Sequence, residues 1–163
     1  MQGIKIIQLP PERWKEYKDL RLEMLLSDPQ AFGKSYEKSL NGPDSLWEER
    51  LRAAQKKDKL LMLFAESNRK LIGMIGAYFN FDTETKNAAK IFGVYVNKDF
   101  QGKGVAKSLQ EELLKRIWVQ VNNSQPAAVK LYEQGNFKTT KKERMILGDG
   151  KEYEVDTMEQ NLN

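Results

Sequence analysis

The stretch that decides the fold lies past the middle of the chain, where residues 94–109 read VYVNKDFQGKGVAKSL. It begins with three strand-forming residues, passes through a turn that contains Gly102 and Gly104, and continues from Val105 with the spacing of an amphipathic helix. A strand, a glycine-rich turn and a helix in this order aim backbone N–H groups at one point, and the helix dipole adds positive potential there. The stretch therefore predicts a site for a phosphate group.

The common phosphate-binding motifs do not match this stretch. A Walker motif needs Gly before its Lys-Ser/Thr pair, whereas Ala106 precedes Lys107 here. A dinucleotide-binding fingerprint needs a third glycine where this chain has Lys107. A helix that simply starts after a glycine turn, with no ligand, is the competing interpretation of Gly102-Lys103-Gly104 taken alone.

A longer pattern and a second motif favour a ligand site. Gln101, Gly104 and Ala106 have the spacing Q-x-x-G-x-A, and residues 128–137 read AVKLYEQGNF. The first pattern resembles motif A of the GNAT N-acetyltransferase family, and the second is similar to that family's A-x-x-L-Y-E-x-x-G-F segment. The resemblance, with the order of elements, extends over roughly residues 4–160. It implies a GNAT-like fold and an acetyl-CoA-dependent acetyltransferase.

Hydrophobic periodicity and turn residues locate the elements of this fold. Strands are predicted at residues 4–9, 60–66, 71–81, 89–96, 118–121, 138–147 and 153–160. Hairpin turns are predicted at the polar residues Ser67-Asn68-Arg69-Lys70 and at Gly148-Asp149-Gly150. Helices are predicted around residues 14–24, after Asp44 as a plausible N-cap, at 105–117 and at 126–134. The apolar stripe of the first helix is Trp14, Tyr17, Leu20 and Met24. The expected fold class is α/β (α+β): a single N-acetyltransferase domain over residues 1–163, with a central, mixed but mostly antiparallel sheet of about seven strands and about four flanking helices. The resemblance further implies a splay between the fourth and fifth strands.

The resemblance implies how acetyl-CoA binds as a cosubstrate. Its pantetheine arm is expected to pair with the backbone of Val94, Tyr95 and Val96, where an amide near Val94 or Tyr95 can donate to the thioester oxygen. Gln125 stands where many family members have an Asn that contacts pantetheine. The pyrophosphate is expected on the backbone amides of the glycine turn and at the start of the following helix: Gln101, Gly102, Lys103, Gly104, Val105, Ala106 and Lys107.

One side chain is predicted to be catalytic. The resemblance implies that Tyr132 lies near the sulfur of coenzyme A and protonates the departing thiolate; a packing tyrosine on a short helix is the alternative.

The chain has 163 residues with no His and no Cys, which excludes Ser-His-Asp and Cys-His relays, thiolate nucleophiles and disulfides. Direct transfer through a ternary complex, without an acyl-enzyme, is compatible with both absences.

Asn136 replaces the family's Gly before Phe137, and Asn tolerates the left-handed conformation that a helix end needs.

The residues around the acceptor are less well defined by the sequence. Glu66 and Asp82 are candidates for a base acting through water, although solvated strand-end residues are the commoner role. Three more candidates for lining the acceptor pocket, with ordinary packing as the alternative, are Glu23, Tyr36 and Tyr78.

The predicted function is direct acetyl transfer to a primary amine of a small molecule or peptide. Two alternatives stay open, namely a catalytically weak CoA-binding or regulatory module with the same fold, and a peptide or protein N-acetyltransferase. The chain has 27 Lys and Arg against 23 Asp and Glu, a net charge of +4, with basic clusters at residues 56–59 and 138–144 that we interpret as solvated faces. No nucleic acid, membrane or metal is expected as a partner, and the protein is expected to be a monomer or homodimer.

Residues 1–9 lack the long apolar run and small-residue cleavage site of a signal peptide, so a cytoplasmic location is predicted.

The connection before Trp118 is unusually short. A helix that ends at Ile117 leaves no loop before a strand at Trp118, whereas such connections usually take about 2–6 residues. Either the helix stops a turn earlier, or residues of a loop are missing from the sequence; we favour the second explanation.

Overall fold

The computed structural model describes residues 3–32, 34–56, 59–79, 89–116, 118–146 and 149–160. The chain divides into two compact units, Met1–Gln110 and Glu111–Asn163. None of the helices in the described ranges has the length and apolar character needed to cross a bilayer.

The first unit contains a four-stranded antiparallel sheet. Its strands neighbour one another in chain order: β1 (Ile4–Ile7), β2 (Leu60–Ser67), β3 (Lys70–Phe79) and β4 (Ala89–Val96). β2 and β3 are joined by Asn68 and Arg69, which have φ angles of 49° and 63°. Two central residues with positive φ match the twist of a tight hairpin. The predicted polar turn between these strands is confirmed.

Helices pack on this sheet, and both faces of β2 and β3 are buried. They are α1 (Trp14–Ser27), the one-turn α2 (Tyr36–Leu40), α3 (Ser45–Gln55) and the start of α4 (Val105–Lys115). Tyr17 of α1 is 1% exposed and lies at the centre of the core. Its ring packs edge-on against Trp47 of α3 at 5.3 Å and against Phe64 of β2 at 5.6 Å between centroids. The predicted apolar stripe of α1 thus holds two helices and the sheet together.

Local interactions at two helix starts differ from the sequence expectation. The short α2 was not predicted; the Ser35 hydroxyl caps it by accepting from the backbone N–H of Lys38 at 3.3 Å. Asp44 does occupy the N-cap position of α3, but its side chain makes no capping hydrogen bond. Its carboxylate instead accepts from Lys18 Nζ at 2.6 Å, because α1 packs alongside α3.

The second unit is a three-stranded antiparallel sheet with one helix on it. The order across the sheet is β5 (Trp118–Asn122), β7 (Glu152–Gln160), β6 (Phe137–Ile146), and the helix is α5 (Pro126–Gln134). Val121 and Met158 are 4% and 0% exposed and form its core. β6 and β7 form the hairpin predicted from Gly148-Asp149-Gly150, of which residues 147–148 lie outside the described residues.

Cross-strand ion pairs account for part of the basic run at residues 138–144. Lys142 Nζ lies 3.7 Å from Asp156 and 3.4 Å from Glu154, and Arg144 lies 3.6 Å from Glu152. Charges paired across a hairpin face are less available to a polyanion, which favours our interpretation of a solvated face. In the other cluster, residues 57–58 lie outside the described residues.

The predicted fold class is confirmed in its main features. The described residues form seven strands and five α-helices, one helix more than predicted because of α2, and the strand pairs within each sheet are antiparallel. The splay between β4 and β5 concerns strands of different units, so it stays a prediction, as does the single domain. α4 ends at Lys115, but Ile117 lies outside the described residues, and missing residues before Trp118 stay a hypothesis.

Gly76 provides a stability test of the first sheet. A Cβ atom added there would lie 2.3 Å from Cζ of Phe92 on β4, so alanine must displace that ring. We expect Gly76→Ala to lower the free energy of unfolding by about 1–3 kcal/mol, as other overpacked sites do. Denaturant unfolding measures the effect. In a double-mutant cycle, Gly76→Ala should cost much less in a Phe92→Ala background; an equal cost in both backgrounds would contradict the proposed clash.

Candidate active site

The turn between β4 and α4 is held next to β4 by two side-chain hydrogen bonds. Asn97 Oδ1 accepts from the N–H of Asp99 at 3.0 Å, and Gln101 Nε2 donates to the carbonyl of Val96 at 3.0 Å. The first of the predicted pyrophosphate residues, Gln101, therefore holds the turn against the end of β4. Its side chain is used within the loop, and its own backbone N–H donates to the carbonyl of Lys98 at 3.3 Å.

The glycine turn presents unpaired backbone donors. Gly102 and Gly104 have φ angles of 71° and 78°, which glycine adopts without steric cost. Within the described part of the chain, no backbone acceptor lies at hydrogen-bond distance from the N–H groups of Gly102, Lys103 or Gly104. The Gly104 carbonyl accepts from Ser108 at 3.0 Å, so α4 begins directly here with the positive end of its dipole at the turn. This arrangement fits the phosphate site predicted from the sequence.

β4 carries a bulge just before this turn. Met74 pairs with Tyr95 and Gly76 pairs with Phe92, so β4 has one residue more than β3 across this interval. Gly93 has a φ of 61°, the conformation typical of a glycine bulge. Val94 follows it and is 48% exposed. The bulge interrupts the regular ladder where the sequence predicted an amide donor for the thioester oxygen.

Glu23 links α1 to the end of β4. Its Oε1 accepts from the Tyr95 hydroxyl at 2.7 Å and from Asn97 Nδ2 at 2.6 Å. Burial raises the pKa of Tyr95 to about 12, and the hydrogen bond to Glu23 acts in the same direction. Two of the predicted site residues, Glu23 and Tyr95, thus form a single polar contact that positions β4.

The raised pKa of Tyr95 gives a pH-dependent stability. The folded state holds the phenol proton more tightly than the unfolded state, so this stabilisation is complete below about pH 10. It is lost as the pH rises from about 10 to about 12 through the folded pKa. We expect wild-type protein to lose more unfolding free energy than Tyr95→Phe between about pH 10 and 12, measured by urea unfolding. Parallel pH profiles for the two proteins would contradict this expectation.

The other predicted acceptor-side residues lie in different surroundings. Glu66 accepts from Arg13 Nη2 at 2.6 Å at the edge of β2, so its carboxylate already has a cationic partner. Tyr78 accepts from Arg50 Nη2 at 2.8 Å. Tyr36 borders a smaller hollow with Leu25 and other residues of α1 and its following loop. The other base candidate, Asp82, lies outside the described residues.

Tyr132 and Gln125 belong to the second unit. The Tyr132 ring is half-buried and packs edge-on against Phe137 at 5.5 Å between centroids, beside Val129. Gln125 is exposed, its N–H donates to the Asn122 carbonyl at 3.0 Å, and its side chain makes no capping bond to α5. The ring of Tyr132 is therefore held by packing, and the side chain of Gln125 does not cap α5.

The left-handed residue predicted at the end of α5 is confirmed. Asn136 has a φ of 64°, and its N–H donates to the Glu133 carbonyl at 3.1 Å. Asparagine thus ends the helix as the family's glycine was expected to do.

A cavity in the first unit was missed by the sequence reasoning. It measures about 590 Å³ and lies between α1, α3 and the α1–α3 connection, with Arg21 and Arg50 in its lining. Arg21 follows Tyr17 by four residues and therefore shares the buried face of α1. A cation on an apolar helix stripe is the signal in the sequence that could have indicated this cavity.

Comparison with known proteins assigns the class. Residues 22–137, about seven tenths of the chain, match the model of the "Acetyltransferase (GNAT) family". Among curated proteins, the comparison found no match. The architecture and the match together define an acyltransferase of the acetyl-CoA-dependent N-acetyltransferase class. The chain belongs to the GNAT acetyltransferase family, as the resemblance of its two motifs implied.

Solved structures with the same fold agree with this assignment. An acetyltransferase of the GNAT family from Streptococcus pneumoniae has a TM-score of 0.58 and 17% identity, over 98% of this chain and 99% of that one. PaiA N-acetyltransferase from Thermoplasma acidophilum, in complex with coenzyme A, has a TM-score of 0.56 and 16% identity, over 99% and 100%. YncA from Salmonella typhimurium, with its cofactor acetyl-CoA, has a TM-score of 0.53 and 14% identity, over 99% of this chain and 95% of that one. At these identities the likeness establishes the fold.

Proposed function

We propose that this protein transfers an acetyl group directly from acetyl-CoA to a primary amine, in a ternary complex. The observation that carries the proposal is the row of amides at Gly102, Lys103 and Gly104, which have no backbone acceptor among the described residues and lie near the bulge of β4, in a chain of the GNAT family. Two of the structures with this fold are described with coenzyme A or acetyl-CoA bound.

The chain's own groups have distinct roles in this proposal. The amides from Gly102 to Ala106, with Lys107 nearby, bind the pyrophosphate by charge-assisted hydrogen bonds. The N–H of Gln101 already donates to the Lys98 carbonyl, so Gln101 positions the turn through its side chain instead. The backbone at Val94, Tyr95 and Val96 pairs with the pantetheine arm, and an amide at the bulge donates to the thioester oxygen as negative charge develops there. Gln125 adds an amide contact to the same arm.

Acyl transfer also requires proton movements at both ends of the reaction. The attacking amine must lose a proton, and the departing thiolate gains one. Tyr132 supplies the second proton in this proposal, through a hydroxyl that its edge-on packing against Phe137 holds at a fixed direction. No nucleophilic side chain is needed, since the amine attacks the thioester itself.

Thiol release tests the proposal. Acetyl-CoA is incubated with the protein and a panel of amines, and free coenzyme A is measured with a thiol reagent while the acetylated amine is identified by mass spectrometry. We expect acceptor-dependent release and initial-rate lines that intersect, as a ternary complex requires. Parallel lines would indicate an acyl-enzyme. Coenzyme A binding with no release for any amine would favour the CoA-binding module instead.

A further inference from the structure

The cavity of the first unit has a cationic lining without a matching carboxylate. It measures about 590 Å³, a size suited to a small molecule, and no Asp or Glu is among its described lining residues. Its polar lining includes four basic side chains: Arg21, Lys34, Lys38 and Arg50. In the ranges that the structure describes, none of the four forms an ion pair with a carboxylate. The cavity is therefore a region of positive potential.

The two arginines are positioned by neutral groups. Arg21 Nη1 lies 3.2 Å from Met24 Sδ, and its guanidinium lies 5.3 Å from the Phe32 ring. Burial lowers the pKa of Arg21, as expected for a cation that loses water without gaining a counter-ion. Partly buried cations in proteins are usually paired, so this one lacks the partner that its surroundings would favour.

Arg50 is also incompletely satisfied. Its Nη2 donates to Tyr78, and its guanidinium lies 5.2 Å from the Phe92 ring centroid on β4. Its Nε–H is buried and has no acceptor among the described residues. A buried donor without an acceptor is uncommon in folded proteins and calls for a missing partner. The planar guanidinium is the group best suited to bind a carboxylate or phosphate with two hydrogen bonds.

One arginine of the cavity lining also lies against the bulge of β4. A Cβ atom on Gly93 would lie 3.4 Å from Arg21 Nη1, so the Arg21 guanidinium lies against the bulge itself. In the proposed function, this bulge faces the thioester. An acceptor whose anionic group is bound by the arginines would therefore place a nearby amine close to the reacting carbonyl.

We propose that the acceptor is a small amine that also carries an anionic group, a carboxylate or a phosphate, bound by Arg21 and Arg50 with Lys34 and Lys38 at the rim. The proposal rests on the proposed function and names its substrate class. The aromatic rings of Tyr17 and Trp47 line the same cavity and suit an apolar body between the two polar ends of the acceptor. Polyamines and other polycations should be excluded by the repulsion of the four cations.

Series of similar amines that do or do not carry an anionic group test the proposal. The series are phenylalanine with phenethylamine, γ-aminobutyrate with butylamine and putrescine, and phosphoethanolamine with ethanolamine. Each is measured by thiol release at saturating acetyl-CoA, and by calorimetric binding to the protein saturated with coenzyme A. We expect the anionic member of at least one series to have kcat/KM and affinity about tenfold to a hundredfold above its neutral partner. The carboxylate and phosphate series identify which anion is preferred.

Variants of the cavity decide whether these residues cause the preference. Arg50→Met and Arg21→Met should each abolish the advantage of the anionic amine while leaving the affinity for coenzyme A unchanged. Arg52→Gln is the matched control, because it removes a cation from the same helix outside the cavity, where Arg52 pairs with Glu48. The double variant Lys34→Gln/Lys38→Gln should reduce the advantage without affecting the core, because both side chains are exposed.

The outcomes separate the two proposals. Charge-dependent binding that the arginine variants abolish, without thiol release, would uphold the anion-binding cavity and overturn the proposed acetyl transfer. Acetyl transfer with equal or better use of neutral amines or putrescine would overturn the cavity proposal alone. Weaker coenzyme A binding in Arg50→Met, by the same factor as for the acceptor, would assign the cavity to the cofactor's phosphates and overturn it as well. If no anionic amine binds, the cavity proposal is overturned too.

Discussion

Replacing Gly104 by valine should weaken coenzyme A binding about a hundredfold. Gly104 has a φ of 78°, and valine in the left-handed region costs roughly 1–2 kcal/mol, so the turn must change its conformation. That change removes one or two amide donors from the pyrophosphate, and hydrogen bonds to charged groups contribute about 1.5–3 kcal/mol each. Calorimetric titration with coenzyme A measures the loss directly, independently of any acceptor.

A second glycine provides the matched control. Gly150, in the turn between β6 and β7, has a φ of 77°, and among the described residues nothing lies within 4 Å of a Cβ atom added to it. Gly150→Val therefore introduces the same backbone strain elsewhere in the chain. The two variants should lose similar thermal stability, whereas only Gly104→Val should lose affinity. Equal affinities in both variants would show that the amides of the glycine turn do not bind the cofactor.

Replacing Tyr132 by phenylalanine should lower kcat about tenfold to a hundredfold and leave the affinity for acetyl-CoA unchanged. General acids typically contribute factors of about 10²–10⁴, and the smaller value applies because a thiol with a pKa of about 8.5 is already a good leaving group. Phenylalanine keeps the ring that packs against Phe137, so the helix and sheet should be preserved. Steady-state kinetics at saturating amine gives kcat, and titration with coenzyme A gives the affinity.

Tyr153→Phe is the control for the loss of a hydroxyl in the same unit. Tyr153 donates to Asp149 at 2.6 Å in the β6–β7 hairpin, so its loss should change stability but not kcat. If Tyr132→Phe and Tyr153→Phe have the same kcat as the wild type, Tyr132 is a packing residue and the acid is water or another group. If the kcat values of both variants fall by the same factor, the loss reflects lower stability and not a missing proton donor.

The parts of the fold that local chemistry determines were predictable. The glycine turn follows from Gly102 and Gly104, whose positive φ angles few other residues tolerate. The strand periodicity and the turn residues predicted all seven strands, with ends within a few residues of the observed ones. Even the end of α5 at Asn136 followed from its tolerance of the left-handed region. These features depend on neighbours in the chain, which a sequence displays directly.

The parts that depend on distant contacts were not predictable. Asp44 was expected to cap α3, but the packing of α1 brings Lys18 to its carboxylate instead. The cavity requires Arg21 and Arg50, on different helices, to meet beside β4, and no local pattern encodes such a meeting. The ion pair between Glu66 and Arg13, which are far apart in the sequence, is a third contact of this kind.

The basic cavity bears on a step for which the sequence offered no residue. An amine enters mainly as an ammonium ion, and nearby positive charges favour loss of its proton, because they destabilise the charged form relative to the neutral one. The four basic side chains of the cavity exceed the charge of one bound carboxylate, so they would still lower the pKa of an amine bound as proposed. Deprotonation then needs only a weak acceptor such as water, and a chain without histidine can carry out a reaction that begins with the loss of a proton.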